Sequence, residues 1–250
     1  MRVVITGAAG SIGREIVDDL SGSYELSLLD RKPVPGYETI IADLSKLSAK
    51  AQLSSGSEIG LRRWADAVEG AEVVVHLAEE PSSEATWHRV LHNNIQTTWN
   101  VLQASIRHKV RRFIYASSNF AVKALEMGLA PACYEPNGPK IGSDVQPRPI
   151  NPYGIGKACG EITGRMLVDG EKLNSFLAVR IGWYEPNPPE IEGYQRLGIG
   201  AHDLRSLFRR CVEAEFEGFH VVYGVSAQTI SPYDLSQTCN LLSWKPTQIP

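Results

Sequence analysis

Short apolar runs alternate with stretches of helical periodicity along most of the chain, and this alternation predicts strands separated by helices. Val3-Val4-Ile5 is an apolar run, Ile12, Ile16, Val17 and Leu20 then recur at helical spacing, and Glu25 to Asp30 is extended again. Ile40 to Leu44, Ala71 to Leu77, Arg111 to Ala116, Phe176 to Gly182 and Phe219 to Tyr223 read as five further strands. Positions 87, 90, 91, 95, 98, 101, 102 and 106, all apolar but Thr98, predict one long amphipathic helix. A second helix starts near Tyr153 and runs through Ile162, Met166 and Leu167, and a third opens near Ala201 and reaches about Phe216. Such an order of elements implies an α/β fold, a doubly wound parallel sheet with helices on both faces. Two segments break the rhythm. Residues 45–62 are rich in Ser, Ala and Lys and read as a surface insertion or irregular helix, while Phe120 to Arg148 is rich in Pro and Gly and reads as a long loop over a binding site.

The turn between the first strand and first helix carries the first chemistry. In Thr6-Gly7-Ala8-Ala9-Gly10-Ser11-Ile12-Gly13, three glycines allow a tight turn, close approach to a pyrophosphate and close helix packing. The helix amino end offers free N–H groups to the anion, so Gly7, Ala9, Gly10, Ser11, Ile12 and Gly13 form a candidate dinucleotide cradle of the Rossmann type. Asp30 ends the second strand, where a carboxylate accepts from ribose hydroxyls and repels a 2'-phosphate, which favours NAD over NADP. Arg31 and Lys32 follow it and pull the other way, since a guanidinium there can accommodate a phosphate. Ser117-Ser118-Asn119 stands at the carboxyl end of the fifth strand, the edge where open parallel sheets bind ligands, though two serines could also cap or turn the chain. Tyr153 and Lys157 are four apart at the head of a helix, so both can reach one reacting centre. A neighbouring cation favours the anionic phenol, and that pairing suits proton transfer.

Composition narrows the class. With 250 residues and 43% hydrophobic content the chain can bury one sizeable core and reads as a single domain spanning 1–250. A net charge of -3 gives no broad basic field for nucleic acid, and Lys109 to Arg112 reads as a solvated turn. No apolar run is long enough to span a membrane and Met1 leads directly into a strand, from which a soluble, cytoplasmic protein is expected. Cys133, Cys159, Cys211 and Cys239 are scattered without a Cys-x-x-Cys pair, and His88 with His92 lacks a third ligand, so neither disulfides nor a metal are expected.

Taken in order, the Gly-x-x-Gly-x-x-Gly loop, the acidic strand end, Ser-Ser-Asn and Tyr-x-x-x-Lys resemble the extended short-chain dehydrogenase/reductases, the NAD-dependent epimerase/dehydratase family, over nearly the whole chain. Arg148-Pro149, Tyr153 to Lys157, Val179-Arg180-Ile181-Gly182, His202-Asp203, Gly224 to Ala227 and Ser243 to Pro246 resemble the uronate dehydrogenases within it, which oxidise hexuronic acids to aldarolactones. The resemblance implies that Tyr153 is the general base, that Lys157 lowers its pKa and holds the nicotinamide ribose, and that Ser118 bonds the reacting oxygen. Asp43 and Leu44 would contact the adenine, although Asp43 could equally cap a helix. Leu77, Ala78 and Glu79 would border the cofactor, Asn94 would brace the next strand, and Ser82, Asn119, Trp183 and Arg196 would hold the sugar, with Arg196 on its carboxylate. Residues 183–218 and 233–250 would supply a small substrate-binding region, and a homodimer would pair through the helices after the fourth and fifth strands. Departures from the pattern concern the substrate: Trp183 replaces a small serine, Leu204 replaces an aspartate, and the segment before Tyr153 is longer. A dehydrogenase of another aldose or sugar phosphate, a nucleotide-sugar epimerase or dehydratase, and an NAD-sensing protein without catalysis remain rival readings.

Overall fold

Parallel strands buried on both faces form the centre of the computed structural model, which describes residues 1–46, 52–53, 55 and 63–247. The strands are β1 (Arg2–Thr6), β2 (Glu25–Asp30), β3 (Ile40–Ile41), β4 (Gln52–Leu53), β5 (Val73–His76), β6 (Arg112–Ser118), β7 (Ser175–Ile181) and β8 (Gly218–Gly224). Their order is β4-β3-β2-β1-β5-β6-β7-β8, and each pairing is parallel except that of the edge strand β4 with β3. The order reverses between β1 and β5, which opens a crevice at their carboxyl ends. Gln52–Leu53 is thus a strand where an insertion or irregular helix was expected, and the rest of that expectation lies largely outside the described residues.

Helices cover both faces. On one, α1 (Ser11–Leu20) and α7 (Ala201–Glu213) share a cluster of Ile16, Val17, Leu20, Leu207 and Phe208 with Val3 and Ile5 of β1. Each such buried side chain contributes about 1.5–3 kcal/mol. Ion pairs of Arg205 with Glu15 (2.5 Å) and of Arg209 with Asp19 (3.0 Å) edge that seam. Consequently α7 belongs to the helical layer and lies against α1, and of residues 183–218 only those near Trp183 and Leu197 reach the crevice.

On the other face, residues 87–107 form one helical stretch: α2 (Trp87–Val90), a π-helical turn over Leu91–Gln96, and α3 (Thr97–Arg107). The π turn inserts an extra residue and rotates the face that follows. Trp87 and Leu91, which the periodicity placed on the apolar face, stand ahead of the turn and at its start and are exposed, whereas polar Asn94 within it and Thr97 and Thr98 after it are buried. Asn94 uses the turn to brace the chain after β5, accepting from the Glu80 amide at 3.1 Å.

The segment expected to be one long loop contains α4 (Lys123–Leu129) between short 3-10 turns at Asn119–Val122 and Ala132–Tyr134. Past it, Ile141 forms a parallel bridge with Tyr233, so the loop is tied to the chain before the last helix. The helix after it, α5 (Pro152–Asp169), has Asn151 as amino-terminal cap, accepting from the Gly154 amide at 2.8 Å, and Pro152 in its first position. Short α6 (Glu192–Leu197) and α8 (Ser236–Leu242) complete the chain. All four cysteines are free thiols, and no described helix is long and apolar enough to cross a membrane.

Candidate active site

A cleft of about 1130 Å³ runs along the carboxyl ends of β1, β2, β5, β6 and β7, larger than the ~300–1,000 Å³ common for a single small ligand. Gly7 has φ +73°, and a Cβ there would fall 2.6 Å from the Ala78 amide nitrogen. A Cβ on Gly13 would fall 2.3 Å from the Gly7 carbonyl oxygen, so both glycines are fixed by close backbone contact. No side chain caps the amino end of α1 at Gly10, which leaves its N–H groups facing the cleft. Ala9, Gly10, Ser11 and Ile12 line it together with those two glycines.

Asp30 braces this loop, Oδ2 accepting from the Ala9 amide (2.9 Å) and Oδ1 from the Lys32 amide (3.0 Å). Arg31 is committed elsewhere: its guanidinium donates to Asp43 (2.9 Å) and Asn93 (3.1 Å). Asp30, Arg31 and Lys32 all line the cleft at the end of β2, and with the Arg31 guanidinium paired to Asp43 the Asp30 carboxylate suits a ribose without a 2'-phosphate. Asp43 does not line the cleft itself; it holds Arg31 and accepts from Ser45, and its carboxyl stays below the usual range because the Ser45 and Arg31 bonds outweigh burial, which acts to raise it. Leu44, Leu77, Ala78 and Glu79 do line the cleft, whereas Asn94 stands behind it.

The reactive end gathers Ser118, Tyr153 and Lys157 on the same cleft. Ser118 Oγ accepts from the Phe120 amide and donates to Asn119 Oδ1, both at 3.2 Å. Tyr153 packs edge-on against Phe120, with ring centroids 5.6 Å apart. Lys157 lies 5.5 Å from the Tyr153 ring, its ammonium donating to the Ala116 carbonyl (2.6 Å) and to the Glu79 carboxylate. Burial acts to lower the Lys157 pKa, but Glu79, Tyr153 and Glu161 outweigh it and hold it above the ordinary lysine value. The helix carrying Tyr153 and Lys157 sits tightly on the sheet: a Cβ on Gly160 would meet the Tyr115 ring at 2.3 Å.

The substrate side is built from scattered segments. Trp183 lines the cleft, edge-on to Tyr194 at 5.7 Å, and its backbone is pinned by the Leu197 carbonyl (2.8 Å) and the Ile199 amide (3.0 Å). Ser82 and Asn119 also line it. Arg196 does not. Its guanidinium lies 4.0 Å above the Tyr134 ring and pairs with Glu192.

Cations that do line the cleft beyond the dinucleotide loop are Arg89, paired with buried Glu80 (2.5 Å), and Lys123, paired with buried Glu126. Sequence reasoning missed both, as well as Phe120. Phe120 and Lys123 follow directly on Ser118-Asn119 at one helical turn's spacing, which is the signal that could have found them. It also missed the buried Arg180–Glu161 pair, two parallel bonds of 2.9 and 2.8 Å, in which Arg180 further donates to the Val145 carbonyl of the overlying loop (3.1 Å). Among the described residues no group of three His, Cys, Asp or Glu side chains could hold a metal.

Comparison with known proteins places this geometry. The chain is 33% identical to an NAD-dependent glucose-6-phosphate dehydrogenase of Haloferax volcanii, over 98% of this chain and 92% of that one. It is 31% identical to a uronate dehydrogenase of Agrobacterium fabrum, over 98% of this chain and 84% of the other. The solved glucuronic acid dehydrogenase of Chromohalobacter salexigens superposes with a TM-score of 0.79 at 26% identity, covering 98% of this chain and 84% of that one. Residues 3–179 match the profile of the NAD-dependent epimerase/dehydratase family. With the loop, the acidic strand end and the Ser-Tyr-Lys group on one cleft, the chain belongs to that family of NAD-dependent enzymes.

Proposed function

We propose that this protein oxidises the anomeric carbon of an anionic aldose, a hexuronate, to the corresponding lactone. The observation that carries the reading is the presence of Ser118, Tyr153 and Lys157 on the cleft that the glycine loop and Asp30 open. The loop and α1 would hold the pyrophosphate, Asp30 the adenosine ribose and Lys157 the nicotinamide ribose. NAD, when bound, supplies the hydride acceptor for the anomeric C–H. Ser118 Oγ orients the anomeric hydroxyl, and Tyr153 takes its proton as the carbonyl of the lactone forms. Trp183 offers a flat apolar face to the sugar ring, and Lys123, paired with Glu126, is a cation on the cleft near Ser118 and Asn119 toward which the carboxylate would lie.

A sugar phosphate is the second reading, supported by Arg89 and Lys123 among the cleft cations and by the name of the 33% identical relative. Purified protein mixed with NAD and a panel of hexuronates, neutral aldoses and sugar 6-phosphates separates these readings through the absorbance of the reduced cofactor. Turnover with hexuronates at the highest kcat/KM supports the first; a preference for sugar phosphates replaces it with the second; no signal with any sugar removes both. Exposed Trp87, Leu91, Trp99, Ile155, Ile162 and Met166, on two packed helical stretches, support a homodimer formed through that face. Light scattering would then give twice the 27.5 kDa chain mass.

A further inference from the structure

Behind Lys157 lies a chain of buried polar groups that the proposed reaction does not use. The Ala78 amide donates to Thr6 Oγ1 at 3.4 Å, and Thr6 Oγ1 stands 2.7 Å from His76 Nδ1. His76 Nε2 stands 3.0 Å from Thr98 Oγ1, and Thr98 donates to Glu79 Oε1 at 2.6 Å. Only one assignment of protons satisfies every member. Thr98 gives its hydrogen to Glu79, so it must accept from an Nε2–H on His76, and Nδ1 must accept from the Thr6 hydroxyl. His76 is therefore neutral, and burial foremost, with the Lys157 charge second, pushes its pKa down to about 3. The hydrogen bonds run in one direction and end on the Glu79 carboxylate. That carboxylate also accepts from the Tyr115 hydroxyl (2.9 Å) and from Lys157, so it is a buried anion with three donors.

We propose that Glu79 is a positioning residue for the reaction, holding the Lys157 ammonium charged and aimed at the cofactor ribose although it is buried. Two of the three ammonium hydrogens are taken by Glu79 and the Ala116 carbonyl, which leaves one directed to the cleft. A buried lysine without an anion loses its proton readily. The other titratable groups facing it are Tyr153 and Glu161 from α5, Tyr115 from β6 and His76 from β5. Glu161 is committed to Arg180 and Ser117, His76 is neutral, and burial with Glu79 raises the Tyr115 pKa, so the carboxylate in contact with the ammonium is that of Glu79.

The turnover part of the test rests on the dehydrogenase reading above; the binding part does not. In Glu79→Gln the alkaline limb of the pH–rate profile should move about one to two pH units lower, because burial of Lys157 has then lost the largest of the charges that oppose it. NAD affinity, measured without substrate, should fall on the same shifted limb, with the gap between variant and wild type widening as pH rises. Glu79→Asp, which keeps the charge, should restore part of the limb. If Glu79→Gln fails to fold, Thr98→Val removes the donor that orients the carboxylate and should give a smaller shift in the same direction. Coincident limbs in variant and wild type, or an affinity loss equal at every pH, would overturn the proposal. A wild-type protein that turns over no sugar but binds NAD defeats the dehydrogenase reading alone, and the NAD titration still decides the role of Glu79.

Discussion

The two ends of the cleft are made in different ways. At the dinucleotide end the backbone itself is the binding surface: Gly7 at φ +73° and Gly13 with a Gly7 oxygen 2.3 Å from where its Cβ would be leave almost no freedom in residue type. At the sugar end the surface is made of side chains from segments spread between Glu79 and Leu197, aligned by pairs such as Lys123–Glu126 and Arg180–Glu161. A site made of backbone admits few sequences. A site made of side chains can be rebuilt by exchanging partners, and this is the end at which relatives of similar fold carry different substrate names.

Four measurements press on that contrast. Tyr153→Phe removes the proposed proton acceptor at the junction of the two ends and should lower kcat by about 10³-fold or more, with NAD binding retained in a titration. Substantial turnover in this variant would remove Tyr153 from the reaction. Arg180→Met leaves Glu161 as a buried anion with no cation and unties the Val145 loop, and should cost about 3–5 kcal/mol of unfolding free energy in a denaturant titration. Because Arg180 anchors the loop and not the glycine turn, the surviving folded protein should show a raised sugar KM and little change in NAD affinity.

Acid should act through His76. With a folded-state pKa of about 3 against 6.5 unfolded, the unfolded chain binds the extra proton in that window, so stability is fully present above 6.5 and falls as pH drops. From about pH 7 to about pH 5 the loss should be about 2 kcal/mol, and His76→Gln should abolish that component of the pH dependence. The smallest effect is expected for Arg196→Ala. Stacked on Tyr134 and paired with an exposed glutamate, Arg196 should contribute no more than about 1 kcal/mol to stability, and its loss should change hexuronate kcat/KM by less than about threefold. A tenfold or larger rise in KM would instead place Arg196 on the substrate carboxylate.

The sequence made the sheet legible because its strands are short uninterrupted apolar runs, and it made the dinucleotide loop legible because only glycine meets those contacts. Tyr153 and Lys157 were readable through their spacing at the head of a helix. The helical stretch 87–107 was readable in extent, but not in face. A π turn over Leu91–Gln96 buries Asn94 and offsets the face on either side of it, and no 3.6-residue pattern anticipates an inserted residue. The role of Glu161 and the displacement of Arg196 were invisible for a different reason: each depends on a partner, Arg180 or Tyr134, that is adjacent only in the folded chain. Helix α4 was hidden by the Pro and Gly residues around it.

The seam between α1 and α7 joins residues 190 positions apart, as in Glu15–Arg205 and Asp19–Arg209. During synthesis the apolar stripe Ile16, Val17 and Leu20 emerges early, while its cover of Leu207 and Phe208 emerges near the end. At about 5–20 residues per second the stripe stays uncovered for roughly 10–40 s. Over that interval the nascent chain should bind holdase chaperones, and chains released before residue 201 should be recovered in aggregates.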